Sequence, residues 1–330
     1  REGVGRVAEA RVRPAVREDD HALRRQERLG LAFAGLCVLN GAFVPAVAKV
    51  TTDGTDAMFV AAISTLFGGI AAAVVLGVRG EWRLLIDRAR LPALALVGAL
   101  GTALAFLLFF EGAQRSSAID AALCLQIEPL YAMIAAWVFL GHRPSRRRVA
   151  ALAVLLAGIL FAIAGPSYAP SPGTWMLLVT PLCWQLSHLV ALRRLEGVPP
   201  QILAGARYIY GGILLLLLWL IGGGLERAPA AADLPRLLPL LALQGCVLNY
   251  LGTLLWYQTI RRLDLGRATS IVVPSIPVLS LAATFAVLGE VPSPWQWIGL
   301  GLVVAGVLVF VTAPRALARR RHREFLQRQS

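Results

Sequence analysis

An ionisable side chain inside an apolar helix is costly, and such residues normally face a partner or a cavity. The stretch Leu123-Cys124-Leu125-Gln126-Ile127-Glu128-Pro129-Leu130 puts one carboxylate, Glu128, near the middle of the apolar run 118–140. Asp120, Cys124, Glu128 and Tyr131 follow spacings of four, four and three, which lays them along one helix face. Pro129 cannot donate a backbone hydrogen bond and is a candidate kink. A carboxylate at this depth can bind a cationic group or carry a coupling proton. A protonated carboxyl bonded to a neighbouring helix is the other reading. Arg207, with Tyr208 beside it, lies in the run 201–221. It can meet a solute or Glu128, or it can snorkel to the surface.

Uncharged polar residues recur at similar depths. Asn40 sits in the run 29–48, and Trp184 with Gln185 in the run 175–192. Asn249, Thr253 and Tyr257 make a stripe on the run 234–257. Lining a cavity and bonding between helices are both open for them. His188, near a run end, reads as a packing residue, and Lys49, the single lysine, as an outer anchor. Other chemistries lack a residue set. Cys37, Cys124, Cys183 and Cys246 all lie in apolar runs, with no CxxC or Cys/His ligand spacing, so no metal site is expected. Asp53 and Asp56 read as solvated turn acids. No HExxH, GxSxG or GxxxxGK[ST] pattern occurs, so neither a membrane enzyme nor an ATP-driven pump is expected, and no cofactor is implied.

The elements that must position these residues are membrane helices. Of 330 residues, 57% are hydrophobic and 15% charged, whereas a soluble domain carries about 25% charge. A bilayer core needs about 20 apolar residues per helix. Ten such runs are found: 29–48, 57–78, 91–110, 118–140, 149–165, 175–192, 201–221, 234–257, 268–288 and 295–312. None alternates polar with apolar as a membrane strand does. With the N-terminus placed in the cytoplasm, 27 of the 32 basic residues fall on cytoplasmic segments. That separation obeys the positive-inside rule with both ends cytoplasmic. The net charge of +13 is therefore a topology signal, and no nucleic-acid partner is expected.

The chain also repeats itself. At a spacing of 148 residues Pro129 meets Pro277, Leu140-Gly141 meets Leu288-Gly289, Pro144-Ser145 meets Pro292-Ser293, and Ala157-Gly158 meets Ala305-Gly306. Each half holds five runs, an odd number, so the second half must enter the membrane inverted. Inverted repeats are a transporter architecture with the site near the midplane. The organisation expected is a cytoplasmic Arg-rich tail 1–28, a first repeat 29–165, an outer Pro/Gly/Ser linker 166–173, an inverted second repeat 174–313, and a basic cytoplasmic tail 314–330. Pro277 is the second candidate kink.

The stretches Pro129…Phe139-Leu140-Gly141-His142-Arg143-Pro144…Ala157-Gly158 and Pro277…Leu288-Gly289-Glu290…Gly299…Ala305-Gly306 resemble the end of an EamA domain of the drug/metabolite transporter superfamily. Glu290 keeps the family's acid after Leu-Gly, and His142 replaces it in the first half. The Trp-Gly pair common in the family is split here as Asn40-Gly41 and Trp184-Gln185. The resemblance covers about residues 30–313. It implies an all-α integral membrane protein of ten helices, two inverted five-helix repeats around a central cavity. It also implies a secondary transporter, an exporter of small metabolites, amino acids or drugs by alternating access. A proton is the candidate coupling ion, the plasma membrane (a bacterial inner membrane) the expected location, and a homodimer is left open. A lipid flippase or scramblase, or a non-transporting membrane partner, is the alternative.

Overall fold

The computed structural model describes residues 3–141, 143–163, 170–263 and 265–312, with side chains described from residue 25 onward apart from 140, 261, 265–267, 269 and 270. His142, most of the central linker and the basic C-terminal tail lie outside the described residues. The chain is a succession of long helices: α1 (Gly3–Thr52), α2 (Ala57–Val78), α5 (Arg146–Ile163), α6 (Pro172–Arg194), α7 (Pro200–Ile221), α9 (Leu265–Leu288) and α10 (Pro294–Thr312). Three more, α3 (Leu91–Gln114), α4 (Ala118–Phe139) and α8 (Leu234–Ile260), contain irregular turns. Among the described residues nine are long and apolar enough to cross a bilayer. The tenth, α5, opens on Arg146-Arg147-Arg148, which dilutes an apolar stretch of similar depth. No strand occurs among the described residues.

Local chemistry sets the helix ends. Asp56 Oδ1 accepts from Phe59 N–H at 2.8 Å, and Ser117 Oγ from Asp120 N–H at 2.9 Å. Such caps satisfy donors that have no partner inside the helix. Gly141 and Gly289 close α4 and α9, both at φ +68°. That left-handed conformation is open to glycine without steric cost. The first helix differs from expectation, because it begins at Gly3, well ahead of the apolar onset.

Lipid gives helices no hydrophobic reason to associate, so close backbone packing takes over. α2 packs on α7 and α5 on α10, while α1 lies against α8 and α9, and α6 against α3 and α4. Small residues mark the crossings. A Cβ on Gly158 would sit 2.7 Å from Gly299 O, and one on Gly306 2.7 Å from Leu155 N. Likewise a Cβ on Gly68 would sit 2.9 Å from Gly245 O, and one on Gly211 2.9 Å from Gly98 O. The α2–α7 pair is clasped at both ends, by Arg227 Nε to Asp56 Oδ2 at 3.0 Å and by Gln201 Nε2 to Glu81 Oε1 at 3.4 Å. Phe106, Phe109, Phe110, Tyr208 and Tyr250 fill the interior with edge-on and tilted ring contacts. Large apolar side chains such as Val78, Ile221 and Leu192 point outward, as a lipid solvent permits.

Three irregular turns interrupt this regularity. α3 is π-helical over Ala99–Leu104 and α8 over Leu243–Leu251. α4 has a 3₁₀ turn at Leu125–Ile127, after which Glu128 and Pro129 open a new α-helical stretch. Pro129 therefore restarts a helix, and Pro277, like Pro274, lies inside α9.

The glycine seam between α5 and α10 leads to a direct test. Gly158→Leu should force the pair apart, and overpacking of this kind costs about 1–3 kcal/mol. The midpoint of thermal unfolding in detergent should fall. Gly301→Leu is the control, since a side chain there meets nothing within 4 Å. Equal midpoints for the two variants would contradict the packing described.

Candidate functional site

The 3₁₀ turn in α4 decides where its polar residues go. A 3₁₀ residue turns by about 120° rather than 100°, so three of them rotate the face that ideal helical counting predicts. Asp120 lies before the turn and is fully buried, its Oδ1 accepting from Gln296 Nε2 of α10 at 3.1 Å. Glu128 lies after the turn and faces α6, where Gln185 Nε2 donates to its Oε1 at 2.8 Å. Tyr131 adds a second tie, its hydroxyl donating to Leu178 O at 3.1 Å. The shared face expected for Asp120 and Glu128 is thus divided between two neighbouring helices.

On α6 the residues Trp184, Gln185 and His188 lie at spacings of one, three and four, one helical face. Glu128 and Gln185 are half-buried and His188 is exposed. No ion pair within 4.0 Å joins Arg207 to Glu128 among the described residues.

Several other polar residues are committed to the framework. A π-segment leaves carbonyls without their regular partner, and buried carbonyls need one. Arg207 Nη2 donates to Gly101 O in the π-segment of α3 at 2.7 Å, and Ser187 Oγ to Val97 O just before it at 3.1 Å. Asn40 Nδ2 donates to Val247 O in the π-segment of α8 at 2.9 Å. Tyr208, 3% exposed, shares a hydrogen bond with Thr253 Oγ1 and donates to Asn249 O, both at 3.0 Å. Asn249 Oδ1 accepts from Gln244 Nε2 at 3.4 Å. Tyr257 is half-buried and packs against the aromatic interior.

The structure joins Glu128 of α4 to Gln185 of α6 and ties Arg207 of α7 to Gly101 of α3. It sets Asp120 against α10, Tyr208 and Asn249 in a buried network behind, and Asn40 on the backbone of α8. Ser187, a donor to α3, is the addition. Buried polar atoms without a protein partner include Trp184 Nε1, Arg207 Nε and Asn249 Nδ2. Among the described residues no cluster of three or more His, Cys, Asp or Glu could hold a metal.

Comparison with known proteins fits this architecture. The model of the EamA-like transporter family matches residues 28–164 and again 171–312. A Streptantibioticus cattleyicolor protein named "Probable terminal-alkyne amino-acid exporter" is 29% identical over 282 residues, 84% of this chain and 90% of its own length. An Archaeoglobus fulgidus protein named "Uncharacterized transporter" is 24% identical over 253 residues, 75% of this chain and 84% of its own. A solved crystal structure at 19% identity superposes with a TM-score of 0.61 over 91% of this chain and 99% of that one, which shows a shared fold. Two matches that together span both halves of the sequence place it: the chain belongs to the EamA-like transporter family and is a multi-pass membrane transporter.

Proposed function

We propose that the chain is a secondary exporter of small amino-acid-like solutes, working by alternating access between two inverted five-helix repeats. The observation that carries the reading is Glu128, half-buried at membrane depth and hydrogen-bonded to Gln185 of α6 at 2.8 Å. Glu128 receives the ammonium group of the solute, or exchanges it for a proton. Arg207 takes the carboxylate end, and Trp184 borders the apolar part. The relative named as an exporter of a terminal-alkyne amino acid supports this solute class.

Support for the inverted repeat comes from correspondences between the halves. The second and seventh helices pair, as do the fifth and tenth. α1 lies against α8 and α9 as α6 lies against α3 and α4. The third and eighth helices carry the π-segments, and the fourth and ninth end on glycines at the same φ. Two such halves supply two gates that open in turn. The excess of arginine on alternate loops supports cytoplasmic termini and a bacterial inner membrane.

Two outcomes are expected. Glu128→Gln should remove at least nine-tenths of solute-driven flux in vesicles while the protein still purifies as a folded monomer or oligomer with an unchanged unfolding midpoint. Flux at the unsubstituted level would sink the role given to Glu128. A tag following Ser330 should resist externally added protease in intact cells, and its cleavage would reverse the topology.

A further inference from the structure

The surface between α3 and α7 carries a groove of about 500 Å³, within the size range of ligand sites. Its walls include Pro92, Ala95 and Ala99 on α3 and Tyr210, Leu214 and Leu217 on α7. The Tyr210 hydroxyl is already committed, donating to Leu85 O at 2.6 Å, so the walls present hydrocarbon. The groove has a simple origin. The two backbones meet beneath it, where a Cβ on Gly98 would lie 3.0 Å from Gly211 N, and the alanines above are too small to fill the space. Eight residues on each helix, seven rises of about 1.5 Å, give it a length of about 10 Å, some two thirds of a leaflet of about 15 Å. None of its walls belongs to the group around Glu128.

One end of the groove is basic. The loop that leads into α3 carries Arg79, Arg83, Arg88 and Arg90, all exposed, against Glu81 and Asp87. Arg90 pairs with Asp87 at 3.5 Å in an exposed position, where such pairs exchange readily with other anions. Trp82, 47% exposed, marks the membrane–water boundary beside them.

We propose that this groove holds an acyl chain of an anionic phospholipid, with the headgroup phosphate held by Arg88 and Arg90. The apolar trough accounts for the chain, and the arginines at its mouth account for the charge. A second copy is disfavoured as occupant, because two copies inserted the same way would bring two arginine loops together. The lipid is a bound partner of the transporter and is separate from the solute proposed at Glu128. The inference depends on the membrane assignment and not on that solute.

Native mass spectrometry of the purified chain, with phosphatidylglycerol and phosphatidylcholine of identical acyl chains as probes, tests it. The native sequence should retain phosphatidylglycerol several-fold more than phosphatidylcholine. Ala95→Phe, or Ala99→Leu if the first variant unfolds at a lower temperature, should reduce both adducts several-fold by filling the trough. The double variant Arg88→Gln, Arg90→Gln should remove the preference and leave weak, equal retention. Equal retention by the native sequence, or undiminished phosphatidylglycerol adducts on both trough-filling variants, would overturn the proposal. A dimer that dissociates in Ala95→Phe would assign the groove to a second copy instead. Solute flux measured in parallel separates the two proposals, since Glu128→Gln should leave the lipid adducts untouched.

Discussion

In the hydrocarbon of a bilayer no water is at hand for a backbone carbonyl, so every one must find a partner within the protein. A regular helix meets that demand alone. The π-segments of α3 and α8 do not, and the protein supplies donors from other helices: Arg207 and Ser187 to α3, Asn40 to α8. These bonds tie α6 and α7 to α3, and α1 to α8. The same bonds hold the Arg207 guanidinium inside the bundle, with its Nη2 on Gly101 O.

The halves share a framework and differ in chemistry. Both have a proline after the middle of their fourth helix, but the residue before it in register is Glu128 in the first half and Ile276 in the second. Ile276 packs toward α1, where a Cβ on Gly41 would lie 3.2 Å from its Cδ1. One half thus offers a carboxylate to the interior while the other offers a packed apolar contact.

Much of this was legible in the sequence. Apolar runs of about 20 residues can only be membrane helices at this composition, and the ten found there match the ten long helices. Glu128, Gln185 and Arg207 stand out because polar groups at such depth are costly without a partner, and the structure gives Glu128 and Gln185 each other and Arg207 the carbonyl of Gly101. The grouping was less legible. Counting by fours put Asp120 with Glu128, and the 3₁₀ turn at Leu125–Ile127 separates them. Local composition does not announce a 3₁₀ or π-segment, because its stabilising bonds come from helices distant in sequence. For Asn40 cavity lining and bonding between helices stayed open in the sequence for the same reason, since its acceptor lies 207 residues away.

The seam between α5 and α10 bears on how the chain is made. Gly158 closes on Gly299, and Gly306 on the backbone at Leu155, so the last helix of the first half completes its contacts only with the last helix of the second. During synthesis from the N-terminus, α5 enters the bilayer and then waits through four further helices with its glycine face against lipid. Separately made halves would each carry one unsatisfied seam. Final closure of the bundle is thus deferred to the end of translation, and a chain cut short before α10 would present quality-control proteases with an open glycine groove.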